Sequence, residues 1–101
     1  MTSNHYINDR IAREAIIKEI GYGEIVKKAI VDKGHRNGPE RHEITSTGII
    51  VIYNARTNKL VTKLIARVGQ IKRYYEANNE EAPIELLAIA REHQKMKYNY
   101  C

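Results

Sequence analysis

Cysteine is almost absent from this chain: of its 101 residues only the last, Cys101, carries a thiol. No internal disulfide and no cysteine-built zinc site can form, and a reducing, cytoplasmic setting is expected. Long apolar runs are missing as well. Ile49-Ile50-Val51-Ile52-Tyr53, which no apolar run in the chain exceeds in length, falls far short of a bilayer span. The opening Met1-Thr2-Ser3-Asn4-His5 has no basic flank leading into an apolar stretch, so no secretory signal is read. Repeats, low-complexity tracts and linkers rich in Pro, Gly or Ser are lacking too. These absences argue against a membrane protein, a disulfide scaffold, a zinc finger and a large cofactor enzyme. What is left is one domain over residues 1–101, with 43% hydrophobic residues to fill a modest core.

Carboxylates are scarce in one region above all. Residues 1–32 balance five cations against five anions, and residues 76–101 sum to −2. Residues 33–75 carry Lys33, Arg36, Arg41, Arg56, Lys59, Lys63, Arg67, Lys72 and Arg73 against Glu40 and Glu43 alone, a local balance of +7. Between Asn54 and Tyr75 there is no acidic residue. Such a block attracts polyanions, nucleic acid first among them. The plainer account is a lysine-rich edge strand that resists aggregation. Arginines interleaved with Tyr53, Tyr74 and Tyr75 favour the first account, because aromatics add nothing to edge protection and can stack on bases.

The coarse pattern is α-α-β-β-β-α. Ile7, Ile11, Ala15, Ile16 and Ile20 recur at helical spacing, with Ser3 or Asn4 as cap, and Gly21-Tyr22-Gly23 ends that helix. Ile25, Val26, Ala29 and Ile30 suggest a second, shorter helix closed by Gly34. His35-Arg36-Asn37-Gly38-Pro39 reads as a loop. Strands are predicted over 41–46, 49–54 and 59–67, joined by short turns, the middle one apolar on both faces. Residues 70–77 suggest a helical turn after Gly69. Pro83 opens a last helix in which Leu86, Ile89, Ala90 and His93 share a side. The expected architecture is α+β, an antiparallel meander of three or four strands with all helices on one face.

Strand alternation then sorts the polar residues. His42, Ile44 and Ser46 fall on the inner side of the first strand, with Leu60, Thr62, Leu64 and Ala66 on that of the third. An outer face is expected to show Arg41, Glu43, Thr45, Lys63 and Arg67, with Tyr53 between them. One carboxylate would thus stand among cations and hydroxyls, which keep it ionised. An ordinary cross-strand ion pair of Glu43 with Lys63 or Arg67 would look the same in the sequence. His42 is expected to be a hydrogen-bonded core residue, and His93 to be structural or exposed.

The order of elements and charges resembles the small ribonuclease and toxin superfamily known as the BECR fold, with barnase, EndoU, tRNA-cleaving colicins and ribosome-dependent mRNA interferases among its members. The resemblance is to its short phage and mobile-element branch. It is carried by His5-Tyr6-Ile7-Asn8-Asp9-Arg10, by Tyr22-Gly23-Glu24-Ile25-Val26 through Gly34, and by Arg41-His42-Glu43-Ile44-Thr45. Gly48 through Asn54, Leu64-Ile65-Ala66-Arg67 and Gln70-Ile71-Lys72-Arg73-Tyr74-Tyr75 complete it. It implies RNA binding and metal-independent, toxin-like endoribonuclease chemistry without a cofactor. In that chemistry the RNA's own 2′-hydroxyl attacks the neighbouring phosphate. Glu43 would be the base, Arg41, Lys63 and Arg67 the phosphate clamp, and His35 or His5 the acid. Arg36, Lys59, Lys72 and Arg73 would hold the RNA backbone, and Tyr53, Tyr74 or Tyr75 would stack a base.

Other chemistries fit less well. His35, Glu40, His42 and Glu43 match no established zinc spacing, and Arg36 and Arg41 would oppose a cation. Gly21-Tyr22-Gly23 lacks the context of a dinucleotide or P-loop site, and Cys101 stands at a chain end. Two functional alternatives stay open. One is a non-catalytic nucleic-acid- or ribosome-binding module. The other is a phage-type inhibitor whose cations engage an acidic host protein. A cognate inhibitor would be a further partner of a toxin, and the last helix offers Leu86, Leu87 and Ile89 to a homodimer.

Overall fold

Glycine punctuation sets the chain's first reversal. A computed structural model describes residues 2–34 and 36–100, with side chains over 11–34 and 36–95. Helix α1 (Thr2–Ile20) ends where Gly21 takes a φ of 77°, its N–H donating to the Ile17 carbonyl. Because the helix already includes Ser3 and Asn4, neither is its cap. Its buried stripe over the described side chains is Ala12, Ile16 and Ile17, whereas Ile11 and Ala15 face water. The stripe is therefore turned by about one residue from the one that spacing predicts.

The largest departure from the sequence pattern comes next. Residues 25–31 form strand β1 (Ile25–Val31), not a helix. The apolar pairs 25/26 and 29/30 suit a helical stripe, but Ile25, Val26, Ile30 and Val31 are all β-branched and prefer extended backbone. The decisive partner is non-local: β1 runs antiparallel to β2 (Glu40–Thr45), with Lys28 opposite Glu43 and Ile30 opposite Arg41. Gly23 makes the approach possible, since its φ is 65° and a Cβ there would collide with the Ser46 hydroxyl. Ser46 Oγ also accepts the Glu24 N–H at 3.0 Å.

Strands β2, β3 (Ile49–Asn54) and β4 (Leu60–Ile65) form the expected meander, so the sheet is four-stranded, antiparallel and in the order β1-β2-β3-β4. The tight β2–β3 turn closes through the Gly48 N–H and the Thr45 carbonyl at 3.0 Å. In the β3–β4 turn Asn54 Oδ1 accepts the N–H groups of Arg56 and Thr57, and Asn58 adopts a φ of 62°. Helix α2 (Val68–Glu76) follows, and α3 (Ile84–Tyr100) begins directly after Pro83. The observed order is thus one helix, the sheet and two helices.

The helices do not share one face. Ile44, Ile50, Ile52 and Ala66 form the main core with Ile71 and Tyr75 of α2 and Leu86 and Ala90 of α3. Ile49 and Val51, which alternate to the other side of β3, pack against Ile17 of α1, with Tyr53 and Ile65 alongside. Helix α1 reaches that side by lying mainly against α3 and touching β4. Among the described residues no helix is long and apolar enough to cross a membrane.

Candidate functional site

Cross-strand register builds the site row by row. On the α1 side of the sheet, Lys28, Glu43, Val51 and Lys63 stand next to one another across β1 to β4. The neighbouring row is Ile30, Arg41, Tyr53 and Leu60. A register shift between Ile52 and Tyr53 brings Leu60 to this side, against strict alternation from the rest of β4. These rows enclose a hollow of about 410 Å³ lined by Glu43, Thr45, Val51, Tyr53, Leu60 and Lys63 and roofed by Tyr22, Gly23 and Ile25. The fully open sheet face expected from alternation is therefore a hollow beneath the α1–β1 connection. Thr45 and Glu43 are only 3% and 7% exposed.

Arg41 organises this hollow. Its Nε donates to Glu43 Oε2 at 2.8 Å, its terminal nitrogen donates to Asn58 Oδ1 at 2.7 Å, and its guanidinium lies 4.7 Å from the Tyr53 ring centroid. A planar cation held at three points keeps little freedom to lose when it meets a further anion. Lys63 is turned to the other wall. Its ammonium stands 3.8 Å from Glu14 and 5.8 Å from the Tyr22 ring centroid. The Tyr22 side chain, and more weakly Glu14, hold the Lys63 pKa above the ordinary lysine value. Glu43 and Lys63 thus share a hollow without forming a pair, because β3 lies between them.

Other expected members fall elsewhere. Arg67 is not in the hollow: β4 stops at Ile65, and Arg67 is the extended residue from which α2 starts, its N–H bound to Gln70 Oε1 at 2.9 Å. It borders a separate shallow depression with Arg73 and Gln94. Tyr75 cannot stack a base, for it is 7% exposed in the main core with the Lys27 ammonium over its ring. Tyr74 is engaged as well, its hydroxyl bonded to His42 Nδ1. Of the three tyrosines only Tyr53 lines the hollow. Lys72 and Arg73 are exposed on α2, across the sheet from the hollow. Arg36 and Lys59 are exposed at the strand ends beside the hollow, where the Asn54 amide donates to the Asn37 carbonyl and ties the two loops together. His35 and the side chain of His5 lie outside the described residues.

Two features escape the sequence pattern. Lys28 stands opposite Glu43 in the β1–β2 register, outside the lining of the hollow, and only the assignment of 25–31 to a helix hides that pairing. The second lies on the opposite face, where His42 is a buried, hydrogen-bonded residue as expected, but with a definite chain of partners. Its Nδ1 meets the Tyr74 hydroxyl and its Nε2 meets Glu40 Oε1 at 3.1 Å. Burial and then Glu40 raise the Tyr74 pKa above the ordinary tyrosine value, so the phenol keeps its proton. Glu40 and His42 therefore face away from Glu43, and among the described residues no three metal-ligating side chains come together. No protein-family model, no curated protein and no solved structure matches this chain.

Proposed function

We propose that the protein binds RNA on the α1 side of its sheet, with the backbone held by cations and a base received in the hollow. The observation that carries this reading is a recess lined by Glu43, Tyr53 and Lys63, with Arg41 bound to Glu43 and lying over the Tyr53 ring and with Arg36 and Lys59 exposed at the strand ends. A cationic rim supplies salt-dependent affinity, and an aromatic, partly apolar recess supplies a surface for a base. An acidic protein partner would meet the same rim but would leave the recess without a purpose.

Cleavage is the further reading, favoured by the Glu43 carboxylate at the recess floor beside the Arg41 guanidinium. In this reading Glu43 removes the proton of a 2′-hydroxyl, whose oxygen then bonds to the adjacent phosphorus. The bond from phosphorus to the 5′-oxygen breaks, leaving a 2′,3′-cyclic phosphate and a protonated 5′-hydroxyl. Arg41 stabilises the charge that builds on the phosphate. Lys63, held protonated by its neighbours, suits a clamp and not an acid. The acid falls to His35 or His5, as in the superfamily that the sequence resembles. Arg67 has no part in this arrangement.

The test is incubation with total RNA in EDTA, beside binding measured over a salt series. RNA binding that weakens with salt supports the binding reading, and 2′,3′-cyclic ends that vanish in Glu43→Gln support cleavage. Intact RNA with binding retained would remove the nuclease and keep the module. Absence of binding at low salt would overturn both.

A further inference from the structure

The face that carries the main core is not fully covered. Helix α2 is nine residues long, and its Ile71 and Tyr75 seal the half of the sheet formed by Ile44, Ile50 and Ala66. Beyond it the other half opens as a groove of about 670 Å³ between β1 and the flank of α2, within the size range of small-molecule sites. Val31, Ile52, Leu64 and Ala77 belong to its apolar part, and Lys28 and Lys33 from the β1 side and Arg73 from α2 are its cations. Glu40 is the one carboxylate among its lining residues, and it already accepts from His42.

The Tyr74–His42–Glu40 chain ends at this groove. In a neutral imidazole, Glu40 draws the ring proton to Nε2, which leaves Nδ1 to accept the Tyr74 proton. The phenol is then fixed in direction, with its remaining lone pair available to a donor in the groove. Three cations, a fixed acceptor and an apolar floor are complementary to a flat heterocycle bearing N–H groups and an attached phosphate.

We propose that this groove is a second ligand site, for a nucleoside phosphate, with Lys33 and Arg73 holding the phosphate and Val31, Ile52 and Leu64 receiving the base. His42 and Glu40 are positioning residues that act through Tyr74. The site is independent of the RNA-binding hollow, which lies on the other side of the sheet. The phosphate has two sources, a free nucleotide or the terminal phosphate of an RNA strand, and they are separable by experiment.

Amide and histidine-ring NMR signals of the full chain are followed at fixed pH and salt during titration with 5′-AMP. Parallel titrations use adenosine, inorganic phosphate and a short oligonucleotide with or without a 5′-phosphate. Saturable shifts at Val31, Leu64, Ala77 and the His42 ring are expected with 5′-AMP, and Arg73→Ala is expected to weaken binding about tenfold. Tyr74→Phe keeps the ring and is expected to abolish the ligand-induced shift of the His42 ring. Read from the signals of Val31, Leu64 and Ala77 alone, tighter binding of the 5′-phosphorylated oligonucleotide than of 5′-AMP or of the unphosphorylated strand assigns the site to a strand end, and tighter binding of 5′-AMP assigns it to a free nucleotide; either supports the proposal. Adenosine binding as tightly as 5′-AMP overturns it. So do shifts confined to Tyr22, Glu43 and Val51, which would place the ligand in the hollow instead, and so does the absence of saturable shifts.

Discussion

The two faces of this sheet are cut from the same strands yet do different work. On the α2–α3 face, alternate residues of β2 and β3 bury Ile44, Ile50 and Ile52, and the one imidazole among them has both nitrogens engaged. On the α1 face the next residues along are Arg41, Glu43, Val51 and Tyr53, where a smaller apolar cluster stops short and leaves a recess. The contrast shows how a chain of 101 residues divides its two sheet faces. The side that carries the larger apolar core, under α2 and α3, holds the fold together, and the side with the smaller core keeps Glu43, Tyr53 and Lys63 together in a recess.

The sharpest way to break that comparison is truncation in β3, where neighbouring residues point to opposite faces. Ile50→Ala should cost about 2–5 kcal/mol in urea denaturation, because a fully enclosed side chain leaves a cavity. Val51→Ala should cost clearly less, since water can enter the recess that it lines. Equal losses would mean that the faces contribute alike. Next in size, Arg41→Ala should destabilise by about 1–3 kcal/mol, because the buried Glu43 side chain would lose its hydrogen-bonded partner. Glu43→Gln should cost less, since the amide oxygen still accepts from Arg41. A reversed order in the same denaturation series would show that the pair is not what holds Arg41 in place.

Acid should act through a buried histidine of α3. His93 of α3 is 6% exposed beneath the β2–β3 turn, and burial lowers its pKa below the ordinary histidine value, with Glu92 opposing. The unfolded chain therefore binds this proton more readily than the folded one. The His93 contribution is present in full above the unfolded histidine pKa near 6.5 and is lost as pH falls toward the depressed folded value. His93→Gln should flatten the stability profile across that window, and an unchanged profile would show that His93 does not titrate differently on folding. The smallest expected effect on stability is that of Lys63→Ala, within about 0.5 kcal/mol, because its ion pair with Glu14 is long and solvated. The same substitution should still reduce the salt slope of RNA binding by about one phosphate contact. A large loss of stability with no change in slope would move Lys63 from the binding side of the comparison to the structural one.

Much of the meander is legible in the sequence because its signals are local. Ile49–Asn54 is a strand wherever it stands, and Asn58 and Gly48 turn the chain through their own backbone preferences. Of the expected group Arg41, Glu43, Thr45, Tyr53, Lys63 and Arg67, a period of two brings Glu43, Thr45, Tyr53 and Lys63 to the hollow, with Arg41 bound to Glu43 beside it. The misplacements arise where period alone is ambiguous or where an element ends early. Residues 25–31 satisfy both helical and extended patterns, so the pairing of Lys28 with Glu43 is lost when they are taken as helix. Alternation carries Arg67 too far, past the end of β4. A base-stacking Tyr75 needs an open ring, whereas helix α2 closes over Ile71 and Tyr75 together.

Composition and spacing by themselves determined a single basic α+β chain, three of its four strands, its first and last helices, and which polar residues would share a strand face. Tertiary structure decided the fourth strand, the distribution of helices between both sides, the roof over Glu43 and the Tyr74–His42–Glu40 chain. The physical reason is the range of the forces involved. Backbone periodicity is written in a few neighbouring residues, whereas pairing of β1 with β2 and docking of α2 on the sheet join residues of different elements, and only the folded chain brings them within reach.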